Sequence, residues 1–336
     1  MSPSSIRWPA PIRSPVLESV RPAIERSRDV RTNVEKIIEH ATWMACEELP
    51  LPEFVLPFGI GADAKQAVDF ILVSNLINFA FTDFQSRVKF QADYAGRRWS
   101  DSEAMFACLK RALDEGIPVL DGSYLRRLKR GDLAHIFRGN IEMPMLDERV
   151  EILNAAGEVL ERRYRGRFAG FLAAGPPRAY AEGSGLLERL VAEFPRYNDV
   201  SPYDGHEVQF HKLAQLGLWV LHAALSRSGA FRLEDAEKLT AFADYIVPVA
   251  LRVMSIFEYS AALEDAIQNG RLIPRDSSQE IEIRAHTIYA TALLREEINR
   301  RRPPQMQVII PQVDARLWTH YHATHWPHHL TRTIMY

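Results

Sequence analysis

The sequence has only two cysteines, Cys46 and Cys108, in 336 residues. That count excludes a disulfide framework and a zinc site built on thiolates. Both lie in apolar helical surroundings (TWMACEEL and AMFACLKRAL), where a thiol reads as a small buried hydrophobe. An excess of either charge is also lacking: 41 Lys and Arg stand against 43 Asp and Glu, a net charge of −2. Coating duplex nucleic acid through many phosphates needs a basic surplus, so no duplex partner is expected. A pocket for a single phosphate stays open, because net charge does not speak to a local site. Long apolar runs are missing too. The longest, 70–80 and 213–225, are interrupted by Asn75 and Asn78 and by Gln215 and His222. They fall short of a bilayer span and read as buried helices, so no membrane partner is expected. The opening MSPSSIRWPAPIRSPVLESV lacks the apolar core of a secretory signal and reads as a draped Pro- and Ser-rich arm. A soluble cytoplasmic protein of a reducing compartment is the expectation. No Walker loop, GxGxxG after a strand, GxSxG or catalytic Cys–His signature occurs, which removes most kinases, dehydrogenases and α/β-hydrolases.

What is present is ordinary globular material, 47% hydrophobic and 25% charged. The length suits one large unit or two fused ones. Helical periodicity dominates. In 29–48, Val30, Val34, Ile37, Ile38, Ala41 and Ala45 recur at three- and four-residue steps, with Asp29 as N-cap. Residues 64–81 are apolar on most faces and predict a central helix. Ser102 opens another, striped by Met105, Phe106, Leu109 and Leu113 and stopped at Gly116. Helices are also expected at 121–128, 132–137, 145–164, 186–194, 207–226, 233–243, 249–268 and 278–301. The convincing β signal is the period-two alternation of 87–99 around the turn Ala95-Gly96-Arg97, a small β-hairpin. The expected class is mainly α. The whole chain, 1–336, reads as one unit, with sub-lobes at 28–165 and 186–336 joined by a Gly- and Pro-rich connection at 165–185.

Four clusters could carry chemistry. The tail holds His320, His322, His325, His328 and His329 among Trp318, Tyr321 and Trp326. Its spacing fits no HExxH pattern, and the preferred reading is a tail packed on the body, with no metal and no cofactor. The second cluster, NDVSPYDG at 198–205, reads as a polar turn with Asp204 capping the next helix. On that helix Lys212 stands among apolar residues, either snorkelling or buried beside an anion. In the third, Asp244 lies in an apolar run between Phe242 and Tyr245. Such an aspartate needs hydrogen-bond partners or suffers a raised pKa. It is either a helix cap before Pro248 or a catalytic carboxylate in a water-poor pocket. In the fourth, Glu280, Glu282 and Arg284 are two apart and cannot share one helix face. That stretch reads as a solvated helix start, with Arg284 pairing Glu280 and Glu282 the candidate for an inward position.

These residues carry a resemblance. FPRYNDVSPYDGHEVQFHKLAQ (194–215), LTAFADYIVP (239–248), EIEIRA (280–285), the Leu317-Trp318 pair and the closing PHHLTRTIMY (327–336) look like the queuosine-salvage proteins, the queuosine 5′-phosphate N-glycosylase/hydrolase family. LINFAF (76–81) and RALDEGIPV (111–119) add anchors, and the similarity runs over 28–336. The resemblance implies a mainly helical fold similar to helix-hairpin-helix DNA glycosylases. It implies hydrolysis of the N-glycosidic bond of queuosine 5′-monophosphate, with release of queuine and without a metal. The family's catalytic acid falls on Asp244. Contacts to base and phosphate fall on Phe242, Tyr245, Asp199, Lys212 and Asp314, with Arg332 and the tail histidines as further phosphate partners and Glu282 as a further substrate contact. The chain departs from the family pattern in Thr319 after Leu317-Trp318, in His211 where an aromatic is common, and across 52–61. A DNA-lesion glycosylase and a non-enzymatic nucleotide-binding helical protein are the alternatives.

Overall fold

The computed structural model describes residues 6–10, 14–56, 58–60, 63–322, 324 and 326–336. About 51% of the chain is helical, and the strands of the described residues form small antiparallel pairs. The fold is therefore mainly α. No described helix is long and apolar enough to cross a membrane. The chain forms two compact units: 1–52 with 199–215 and 235–332, and 53–198 with 216–234 and 333–336.

The first unit is built round the helix Ser278–Asn299, which is buried on every face from Glu280 to Leu294. Ser277 starts it by accepting the Glu280 N–H at 3.3 Å. The helices Arg21–Glu25, Val34–Met44, Ile246–Val253 and Ile310–Tyr321 pack around it. A helix enclosed in this way hides its polar residues together with its apolar ones. The expected solvated start is thus corrected: Glu280, Glu282 and Arg284 are all buried. Facing away from one another does not mean facing water.

Other expectations in this unit are also corrected. The helix expected from residue 29 begins only at Val34, capped by Asn33, whose Oδ1 accepts the Lys36 N–H at 3.1 Å. Before it, Val30–Thr32 pairs with Phe257–Tyr259, Arg31 opposite Glu258. That strand interrupts the helix expected over 249–268, leaving Ile246–Val253 and Ala261–Gln268. Ser255, in the left-handed region at φ +56°, turns the chain out of the first helix. Val200–Tyr203 and His206–Gln209 form a hairpin with Tyr203 opposite His206. Asp204 and Gly205 are its two turn residues, at φ +47° and +81°, as a type I′ turn requires. Asp204 is therefore a turn residue and not a cap, and the following helix starts at Lys212.

The second unit contains the helices Ala64–Leu76, Asp101–Asp114 and Leu146–Tyr164. Its hairpin, Gln91–Tyr94 with Arg97–Ser100, lies where the alternation placed it. The connection at 165–185 holds a short helix, Phe168–Ala173. Arg149 is fully buried here and donates to the carbonyls of Pro144, Ala80, Ile77 and Phe79. Four backbone acceptors take the place of a carboxylate partner for that cation.

Candidate active site

The helix expected at 233–243 does not form: beyond a single turn, Ala236–Lys238, the backbone of 239–245 is open. Two buried side chains hold it so. Gln215 Oε1 accepts the Thr240 N–H at 2.8 Å, while Gln215 Nε2 donates to the Phe210 carbonyl at 2.9 Å. Asp314 Oδ2 accepts the Phe242 N–H at 2.9 Å. An amide captured by a tertiary partner is lost to the helix ladder, so local propensity is overridden.

Asp244 ends this open segment and is 8% exposed. Its Oδ1 accepts the N–H groups of Ile246 and Val247 at 2.8 and 3.2 Å, starting the helix Ile246–Val253. Asp244 thus ties down the first turn before Pro248 from one residue ahead of the N-cap position, Tyr245, and both bonds fall on one oxygen. Asp314, on the helix Ile310–Tyr321, is 4% exposed. Burial first, and then the Asp244 charge, push its pKa well above the ordinary carboxylate range. The Phe242 N–H and the Lys212 charge offset this only in part. Two neighbouring carboxylates in one dry site share a single negative charge more readily than two. The environment thus favours a neutral Asp314 carboxyl beside Asp244. Lys212 opens its helix and is buried within electrostatic reach of Asp314, not snorkelling.

Asp199 takes a different part. Its two oxygens accept from Arg284 Nη1 and Nη2 at 3.0 and 2.5 Å, and Oδ2 also accepts the Lys212 N–H at 3.2 Å. Burial pushes its pKa up, but the Arg284 charge and these hydrogen bonds outweigh that and hold it below the ordinary value. Arg284 reaches on through Nε to the Ala243 carbonyl at 3.2 Å and lies 3.8 Å over the Phe210 ring. Asp199 and Arg284 form a buried strut between the Lys212 amide and the residue before Asp244. Breaking such a pair from one side leaves an uncompensated buried charge, at about 3–5 kcal/mol.

Phe242 is buried and Tyr245 half-buried. The Tyr245 ring lies 4.6 Å from that of His328, whose Nδ1 is 2.7 Å from the His329 carbonyl. The tail is thus packed on its own unit. Leu330 bridges to Leu272, and Arg252 donates to the Pro327 carbonyl at 2.9 Å. Among the described residues no cluster of His, Cys, Asp and Glu could hold a metal ion. His325 lies outside the described residues.

Glu282 is engaged elsewhere. Its Oε2 accepts the N–H groups of Arg28, Asp29 and Val30 and the Ser27 hydroxyl, and its Oε1 accepts from Tyr203 at 2.8 Å. It staples the 27–30 loop to the central helix. Arg332 is exposed. Sequence reasoning took Arg284 only as a partner for Glu280 and assigned Gln215 no function. A polar residue inside an apolar helical run was the available signal for Gln215. For the reach of Arg284 to Asp199 there was none, since the two are 85 residues apart.

Two imidazoles of this unit make folding sensitive to acid. Burial pushes His286 and His329 down to about 3. A depressed folded-state pKa gives stability that is present above the unfolded value, near 6.5, and lost as pH falls toward 3. Each group is worth several kcal/mol over that window. Asp314, with its raised pKa, works in the opposite sense and offsets part of the slope. Denaturant unfolding at stepped pH is expected to show declining stability below about pH 6.5, with a weaker slope in His286→Leu. Constant stability from pH 7 to 4 would contradict it.

Fold and cluster together define a mainly helical protein with a buried site of two carboxylates and one lysine. A family model described as queuosine salvage protein matches residues 60–336. A Sphaerobacter thermophilus protein named queuosine 5′-phosphate N-glycosylase/hydrolase is 35% identical over 324 residues, 96% of this chain and 97% of that one. Proteins of the same name from Bos taurus and Schizosaccharomyces pombe are 30% identical over 83% of each chain and 29% identical over 70% of each. The chain belongs to the queuosine salvage protein family.

Proposed function

We propose that this protein hydrolyses the N-glycosidic bond of queuosine 5′-monophosphate to queuine and ribose 5-phosphate. The observation that carries the reading is the burial of Asp244, Asp314 and Lys212 together, with Asp244 and Lys212 both within electrostatic reach of Asp314. Cleaving a ribosyl–nitrogen bond builds positive charge on the sugar, and a carboxylate in a low-dielectric site stabilises that charge. Asp244, fixed through Oδ1, presents its other oxygen to C1′. The base is a 7-deazapurine, with carbon where purines have N7, so protonation at N7 cannot assist its departure. Asp314, carrying a proton, gives that assistance at another polar edge. The electron pair of the C1′–N bond leaves with the base, which takes the Asp314 proton. Water adds to C1′, and its released proton restores the Asp314 carboxyl. Phe242 and Tyr245 wall the heterocycle. Lys212 eases the crowding of two carboxylates and, with Arg332 and the tail histidines, favours the phosphate end. Asp199 acts as a positioning residue for Lys212 through its amide. Glu282, committed to the 27–30 loop, supports the unit instead of touching substrate.

In this reading the whole chain works as one catalytic unit in the cytoplasm, with a fold akin to helix-hairpin-helix glycosylases. Its ligand is a free nucleotide and not a duplex, in keeping with the balanced charge. Incubation of the purified protein with queuosine 5′-monophosphate is expected to yield free queuine by chromatography. Recovery of intact nucleotide alone would overturn the proposal.

A further inference from the structure

His211 is a buried group that the mechanism above leaves unused. It is 7% exposed, and neither imidazole nitrogen has a hydrogen-bond partner among the described residues. Each buried polar group left in that condition costs about 1–3 kcal/mol. The backbone adds to this: φ is +46°, in the left-handed region, where a residue other than glycine pays about 1–3 kcal/mol. The residue is held there deliberately by its surroundings. Its N–H donates to the Asp199 carbonyl at 3.1 Å, and the next N–H, that of Lys212, donates to the Asp199 carboxylate at 3.2 Å. The strut that fixes Lys212 therefore fixes His211 as well. Two unfavourable terms at one residue, next in sequence to Lys212, point to a side chain kept for more than packing.

We propose that His211 contacts the substrate, its imidazole taking a hydroxyl of the ribose. This rests on the functional reading above. The chemistry of the surroundings selects the group. Burial lowers the pKa of His211 against the pull of Asp199 and Glu207, and the Arg284 charge lowers it further. A neutral imidazole offers one N–H donor and one lone pair. A hydroxyl both accepts and donates, and so can pair with whichever of the two nitrogens faces it. A phosphate dianion only accepts. Paired with a neutral imidazole it would leave the ring's lone pair unmet, and it would face the Asp199 and Glu207 carboxylates.

The test compares wild type, His211→Phe and His211→Gln on queuosine 5′-monophosphate and on its 2′-deoxy and 3′-deoxy analogues. Wild type is expected to lose about ten- to a hundredfold in kcat/KM on one deoxy analogue, the size of one hydrogen bond in a buried site. His211→Phe loses the same factor on the ribonucleotide and little more on that analogue, so the two losses merge. His211→Gln, which keeps a donor and an acceptor, recovers part. The melting temperature of His211→Phe stays level or rises, because two unpaired nitrogens are gone. An equal loss by His211→Phe on all three substrates, or no loss on any, overturns the contact and leaves a packing imidazole. Should His211→Phe fail to fold, the same comparison is read from His211→Gln. Failure of wild type to release base from the ribonucleotide would instead strike the functional reading itself.

Discussion

Asp244→Asn is expected to cut kcat on queuosine 5′-monophosphate by about a hundred- to a thousandfold, while the protein stays folded. The two parts of this expectation come from two oxygens of one side chain. Oδ1 accepts the N–H groups of Ile246 and Val247. The amide oxygen of asparagine can do the same, and asparagine ranks with aspartate as a cap, so stability should change by less than about 1 kcal/mol. The negative charge has no such replacement. It is what steadies the developing sugar cation, and a dry site strengthens that term. Single-turnover release of queuine and a thermal melt, measured on the same sample, separate the two effects. A variant that melts normally and still releases base at near the wild-type rate would remove Asp244 from the chemistry.

Asp314→Asn should slow the reaction by about 10²–10⁴-fold, the usual worth of a positioned proton donor. Asparagine keeps an oxygen for the Phe242 N–H and resembles a neutral carboxyl in shape, but it has no proton to give. The pH profile is the sharper readout. Asp314 is raised above the ordinary range by burial and by Asp244. Wild-type activity should fall as pH rises through that raised value, because the donor loses its proton. The limb should vanish in Asp314→Asn. A limb retained unchanged in the variant would assign it to another group.

The site was partly legible in the sequence for a definite reason. Asp244 stands in an apolar run, and a lone carboxylate there must be either paired or functional. Lys212 stood out on the same ground. The hairpin at 200–209 was missed, although Asp204-Gly205 is a type I′ turn pair and was the available signal. The helical periodicity beginning at 207 drew the boundary too early. The open segment at 239–245 was not legible: its amides are taken by Gln215 and Asp314, and Asp314 lies 72 residues further along the chain from Phe242. Glu282 was correctly placed inward, but its partners at 27–30 come from the other end of the chain.

Composition and periodicity by themselves determined a mainly helical protein, and motif order determined its family. These depend on residues close in sequence, whose spacing sets the buried face of a helix or the twist of a turn. Only the tertiary structure decided that Asp314 sits beside Asp244, that Asp199 is spent on Arg284, and that the His211 ring is held buried with no hydrogen-bond partner among the described residues. Each depends on which distant segments share a low-dielectric space. There a neighbour's charge or a missing donor shifts a group by several kcal/mol, and no local pattern encodes that company.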